Sequence, residues 1–169
     1  MQKCLTSSVE IKMLALHQPK YAEMNNKRMI RVGITHGDIN GVGYEVIMKT
    51  LSDSTMTELC TPIVYGSLKV AAYHRKALDM EVVNFNSVVD ATQAVDGQIN
   101  LIDCVGEGVK VEIGRPTQHA GEVAIAALDR AVEDLQEGLI DVLVTAPINK
   151  HTVQSEQFNF PGHTEYLEE

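Results

Sequence analysis

The sequence has 169 residues, 44% hydrophobic and 22% charged, which is enough for one ordinary domain with a real core. A net charge of −9 with no basic stripe argues against nucleic acid as a partner, and no apolar run approaches the roughly 20 residues that cross a bilayer. Cys4, Cys60 and Cys104 are scattered without the paired spacing of a zinc or redox motif, and they suit incidental thiols in a reducing cytoplasm.

Residues 1–28 show no sustained period and no signal-peptide pattern, and they read as a loosely ordered N-terminal extension. Met24 or Met29 would be a more natural first residue. From Met29 the pattern changes: "MIRVGIT" is a short β-rich run that ends in the glycine loop "THGDINGVGYE". "YEVIMKTLSD" then reads as a helix with Val46, Ile47 and Thr50 near one face. "TPIVYG" is a second strand, followed by a helix over residues 67–80 capped by Ser67, and "EVVNF" is a third strand candidate. "DGQINLIDCVGEGVKVEIG" holds two β-type runs separated by "GEG", a hairpin-like signal. Residues 119–138 form a helix with Ile125, Leu128, Val132 and Leu135 at helical spacing and Gly138 as its stop. "LIDVLVTAP" is a nearly continuous apolar strand of the kind buried on both faces of a parallel sheet. "HTEYLEE" reads as the first turn of a further helix, and a chain that stops there suggests part of a longer protein. Strands alternating with helices imply a layered α/β fold.

Three loops carry the candidate chemistry. Gly37, Gly41 and Gly43 supply positive φ or close backbone approach, yet G-x-x-x-G-x-G departs from the dinucleotide fingerprint G-x-G-x-x-G. The spacing resembles the cofactor loop of short-chain dehydrogenases, and Tyr65 and Lys69 repeat their Tyr-x-x-x-Lys, although far too close behind the loop. His36 and Asp38 stand beyond the carboxyl end of a strand, where α/β proteins hold ligands; Asp38 could equally cap the following helix, and a lone histidine such as His36 is more often a hydrogen-bonded structural residue than a ligand. In "VLVTAPINK", Thr145, Asn149 and Lys150 could hold a phosphate or carboxylate, or could belong to a proline-stiffened turn. In "FPGHTE", His163 and Thr164 at a helix start suit an anionic or hydroxylated ligand, or a plain helix cap.

Taken in order, "GITHGDINGVGYE", "VTAPINK" and "FPGHTE" resemble the motifs of the 4-hydroxythreonine-4-phosphate dehydrogenase family of vitamin B6 biosynthesis, from about Arg31 to Glu169. Four of its residues depart from the common form: His36 stands where methionine is frequent, Ile39-Asn40 replaces Pro-Ala, and Tyr44 replaces a proline. The resemblance covers the family's N-terminal half, so residues 29–169 would be the N-terminal part of a two-domain, homodimeric α/β/α protein of the isocitrate and isopropylmalate dehydrogenase type. It implies oxidation by NAD or NADP, assisted by a divalent metal (Zn, Mg or Co), of a small phosphorylated amino-acid substrate, 4-phosphohydroxy-L-threonine. Decarboxylation then gives 3-amino-2-oxopropyl phosphate.

His163 and Thr164 match the family's substrate-contacting pair, and Lys150, Asn149 and Asp38 join them as expected substrate-binding residues. The family's three metal histidines lie downstream of these motifs, so no metal ligand is expected here and the polypeptide alone should be inactive. A non-catalytic module that binds an anionic metabolite is the other class the motifs allow.

Overall fold

A computed structural model describes residues 28–106, 108–154, 160 and 162–168, so nearly all of the expected N-terminal extension lies outside the described residues. The frame is five strands, β1 (Arg31–Thr35), β2 (Thr61–Gly66), β3 (Phe85–Val88), β4 (Ile99–Asp103) and β5 (Val142–Thr145). They form one sheet in the order β3-β4-β2-β1-β5, and every pairing is parallel. Parallel neighbours need crossovers rather than tight turns. Helices α1 (Gly43–Leu51) and α2 (Thr55–Leu59) link β1 to β2, α3 (Leu68–Ala77) links β2 to β3, a short 3-10 turn (Ala91–Gln93) links β3 to β4 and α4 (Gln118–Gln136) links β4 to β5, with α5 (His163–Glu168) after β5.

The period-two alternation of β2 assigns its side chains to two cores. Val64 points with Leu101 toward Ile47 and Leu51 of α1, whereas Ile63 and Tyr65 join Ile102 against Ala127 and Ala131 of α4. All six residues of β2 are buried, as befits a central strand between two layers. Tyr65 keeps its hydroxyl satisfied there by donating to Asp134 Oδ2 at 2.6 Å, and burial followed by that carboxylate raises its pKa.

Helix α4 begins where Thr117 Oγ1 accepts from the Ala120 amide at 3.2 Å, and it ends at Gly138, whose φ of 72° permits the left-handed stop. Its innermost stripe is Ala120, Ala124, Ala127, Leu128 and Ala131. Small residues let the helix lie close on the sheet, so the larger Ile125, Val132 and Leu135 flank the contact and are only half-buried.

Several expectations are corrected. On α1 the buried face is Tyr44, Ile47, Met48 and Leu51, while Val46 and Thr50 are exposed. Ser67 precedes α3 but makes no side-chain cap bond; its hydroxyl turns to Asp103 Oδ2 at 3.2 Å instead. The third strand is "FNSV", later than "EVVNF", because Val83 packs against the α1–α3 core from irregular chain. The hairpin expected at "GEG" is not seen: among the described residues no strand lies between β4 and α4. Val109 and Val111 pack on that same core, while the main chain of 112–114 is bound by Asn40 rather than by a strand. Finally β5 pairs only with β1 among the described residues, and its Val144 is 48% exposed, so the strand is not buried on both faces.

Candidate functional site

The two sides of β1 are filled in turn: the chain passes from β1 to β2, then to β3 at the far edge and back to β4 between β2 and β3, and α4 then carries it past β1 to place β5 on the other side. In open parallel sheets the crevice beyond the carboxyl ends at such a switch point is where ligands bind. Two of the candidate loops follow β1 and β5 and meet there. The Asp38 amide donates to the Pro147 carbonyl at 2.9 Å, and the Ala146 amide to the Thr35 carbonyl at 3.1 Å. Gly37 has a φ of 70°, and a Cβ on it would collide with the carbonyls of Ala146 and Pro147.

Asp38 does not cap α1, whose N-cap residue is Val42 with no side-chain bond. Instead its Oδ1 accepts from the Asn40 amide at 2.9 Å, an Asx turn that braces its own loop and leaves Oδ2 without a partner among the described residues. Asn40 is 2% exposed and ties the loop outward. Its Nδ2 donates to the Arg115 carbonyl (2.9 Å) and to Thr117 Oγ1 (3.1 Å), and its Oδ1 accepts from the Glu112 amide (2.7 Å).

Behind the loop, Tyr44 is stacked between His36 and His74, with ring centroids 5.5 and 5.4 Å apart. The Tyr44 hydroxyl accepts from the Ser67 amide at 2.7 Å, and a His74 ring nitrogen lies 2.7 Å from the Ile39 carbonyl. His36 is 0% exposed, and neither ring nitrogen has a hydrogen-bond partner among the described residues. Burial lowers its pKa to about 4 and outweighs the backbone of Val123 and Gly37, which favours the proton. His36 is therefore a core residue behind the loop rather than a ligand-facing one.

In the second loop Asn149 Oδ1 accepts from the His151 amide at 3.0 Å and the Asn149 carbonyl from the Thr152 amide at 3.0 Å, which folds 149–153 into a compact turn. Asn149 is half-buried with its Nδ2 unengaged among the described residues, and Lys150 is exposed. This turn rests on α4 at Gly121, where any Cβ would collide with the Thr152 carbonyl. The third motif opens α5, which is tied to α4 by the Tyr166 hydroxyl donating to Asp129 Oδ1 at 2.6 Å. Thr164 is exposed, and the side chain of His163 lies outside the described residues.

The structure thus brings the Asp38 and Lys150 loops together at one edge. It removes the short-chain dehydrogenase alternative: Tyr65 is wholly buried and bonded to Asp134, while Lys69 is exposed one element later. Among the described residues no three His, Cys, Asp or Glu side chains gather to hold a metal, and no helix is long and apolar enough to cross a membrane. A cleft of about 530 Å³ lies at the opposite, amino end of the strands, between Leu51, Val83, Phe85 and Ile99, away from all three motifs. Asn40 is the residue the motif reading passed over. Its signal was an amide in a glycine loop at a position where the common form has alanine.

The family described as "Pyridoxal phosphate biosynthetic protein PdxA" matches residues 58–169. The chain is 64% identical over 140 residues to a 4-hydroxythreonine-4-phosphate dehydrogenase of Bacteroides thetaiotaomicron, a match that covers 83% of this chain and 38% of the relative. It is 35% identical over 147 residues to a protein of Clostridium botulinum provisionally named D-threonate 4-phosphate dehydrogenase, covering 85% of this chain and 43% of the relative. A crystal structure of a 4-hydroxythreonine-4-phosphate dehydrogenase from Burkholderia phymatum superposes with a TM-score of 0.75 at 34% identity, covering 83% of this chain and 43% of that one. The chain therefore spans about two-fifths of the length of these relatives.

Proposed function

The chain belongs to the pyridoxal phosphate biosynthetic protein PdxA family, and from that premise we propose that it forms the phosphate-ester-binding part of a 4-hydroxythreonine-4-phosphate dehydrogenase. In this reading the complete enzyme is a cytoplasmic homodimer that oxidises the secondary alcohol of 4-phosphohydroxy-L-threonine with NAD or NADP. The β-keto acid so formed loses carbon dioxide to give 3-amino-2-oxopropyl phosphate. A divalent metal would supply Lewis acidity to the complete enzyme; the described residues do not assemble a site for one, so their roles are binding and orientation.

Lys150 offers an exposed point charge to the phosphate or carboxylate, and Asn149 Nδ2 a donor beside it. Asp38, braced through Oδ1, turns Oδ2 to a hydroxyl or ammonium group. The family's "FPGHTE" motif supports His163 and Thr164, at the start of α5, as further substrate contacts. The observation that carries the reading is the meeting of the Asp38 and Pro147 loops at the switch point of the sheet.

Calorimetric titration tests it. The chain should bind 4-phosphohydroxy-L-threonine, and Lys150→Ala should weaken binding about tenfold, on the order of 1.4 kcal/mol. Absence of binding, or no effect of the substitution, would overturn the proposal. These 169 residues alone should form no NADH, and measurable turnover would contradict the inactivity we infer. The Clostridium relative favours a second reading, D-threonate 4-phosphate as ligand. That molecule carries a hydroxyl where the threonine ester carries an ammonium, so a carboxylate at Asp38 prefers the amino compound, and titration of both ligands separates the readings. Binding without oxidation by a full-length version would favour a non-catalytic module.

A further inference from the structure

We propose that Asn40 is a positioning residue that joins the two ligand-binding loops into one rigid rim through the N-terminus of α4. The inference rests on the reading that Asp38, Asn149 and Lys150 bind the ligand, and it goes beyond it by naming what fixes their relative placement.

The Asp38 loop and the Lys150 turn belong to different segments, more than a hundred residues apart in sequence. The hydrogen bonds that join the two segments directly run between backbones, from Asp38 to Pro147 and from Ala146 to Thr35. Asn40 adds a second, longer connection. Its main chain is held on both sides, with the amide on Asp38 Oδ1 and the carbonyl accepting from the Gly114 amide at 2.8 Å. Its side chain spends one acceptor and two donors on the 112–117 turn.

The last of those bonds reaches Thr117 Oγ1, the same oxygen that caps α4 by accepting from Ala120. One turn further along α4, Gly121 sits directly against the Thr152 carbonyl, within the turn that presents Asn149 and Lys150. The path runs Asp38, Asn40, Thr117, Gly121, Thr152, and each link is a hydrogen bond, a covalent turn of helix or a contact too close for a methyl group. A buried amide with three of its four bonding sites used has one orientation, because any other leaves polar groups of the 112–117 turn unsatisfied. The placement of Asp38 relative to Lys150 is thereby fixed by a side chain that touches neither the ligand nor either residue's functional group.

Amide exchange and titration of the whole chain test this, with Asn40→Ala, Asn40→Asp and an exposed control, Lys76→Ala. Asn40→Ala should speed exchange roughly tenfold in 112–121 and also in 149–153, with the amides of β2 and β4 unchanged. Affinity for 4-phosphohydroxy-L-threonine should fall about fivefold or more. Asn40→Asp keeps the acceptor for Glu112 but loses both donors, so it should loosen 115–121 and 149–153 while sparing Glu112. Unchanged exchange in 149–153, uniform loss of protection across the sheet, or unaltered affinity in a variant with a loosened rim would each overturn the proposal. If the unmodified chain binds no phosphate ester, the functional reading fails, and the exchange pattern alone decides the mechanical role of Asn40.

Discussion

His36 shows how a single residue can look like chemistry and prove to be packing. Its position after β1 suggested a ligand-facing imidazole, yet it is wholly enclosed and stacked on Tyr44. Burial holds the folded pKa near 4 against an ordinary 6.5. Below pH 6.5 the unfolded chain takes up a proton that the folded chain refuses, so the contribution of this residue to stability is full above about 6.5 and is lost as pH falls toward 4, in total on the order of 3 kcal/mol. Asp103 and His74 are the charged or titratable groups that act on it, and they oppose one another. His36→Met should flatten that part of the pH dependence, measured as the denaturation midpoint between pH 7 and 4. An unchanged slope would show that other groups govern acid stability.

Among the elements, those with strong local signals were legible: β1, β2 and α4 fall where their apolar periods and turn residues put them. What the sequence hid was set by tertiary partners. Val109 and Val111 look like a strand because they are packed against the core, but their neighbours' main chain is bound by Asn40, a partner some seventy residues away. The β5 run looks buried on both faces because it is apolar, yet what covers a strand is decided by its partners, which a single strand does not encode. The candidate loops were visible as Gly, Asp, Asn and Lys at strand ends, whereas the bracing through Asn40 was not. Gly121 belongs to this scale too. Ala for Gly inside a helix ordinarily stabilises by roughly 0.5–1 kcal/mol, but here the methyl group meets the Thr152 carbonyl. Overpacking against backbone is the larger effect, so Gly121→Ala should destabilise by about 1–3 kcal/mol in urea unfolding, and a gain in stability would show that the 149–153 turn gives way freely.

For the whole molecule, the sheet sorts function by its two ends and by its open side. The loops that meet at the switch point sit at the carboxyl end, and the cleft near Leu51 sits at the other. The side of β5 that has no neighbour among the described residues, with Val144 48% exposed, is a template for pairing with a further strand. Val144→Lys should therefore reduce concentration-dependent association in sedimentation velocity, without lowering thermal stability, since a charge on an exposed edge opposes edge-to-edge pairing. Association that survives this change would point to another face.

The chain contains no tryptophan, so its ultraviolet emission comes from tyrosine alone. Tyr44, sandwiched between two imidazoles, is in van der Waals reach of a group that quenches phenol emission when it becomes a cation. Proton uptake by the buried imidazole is thus coupled to a built-in optical signal, readable without a label or an added probe.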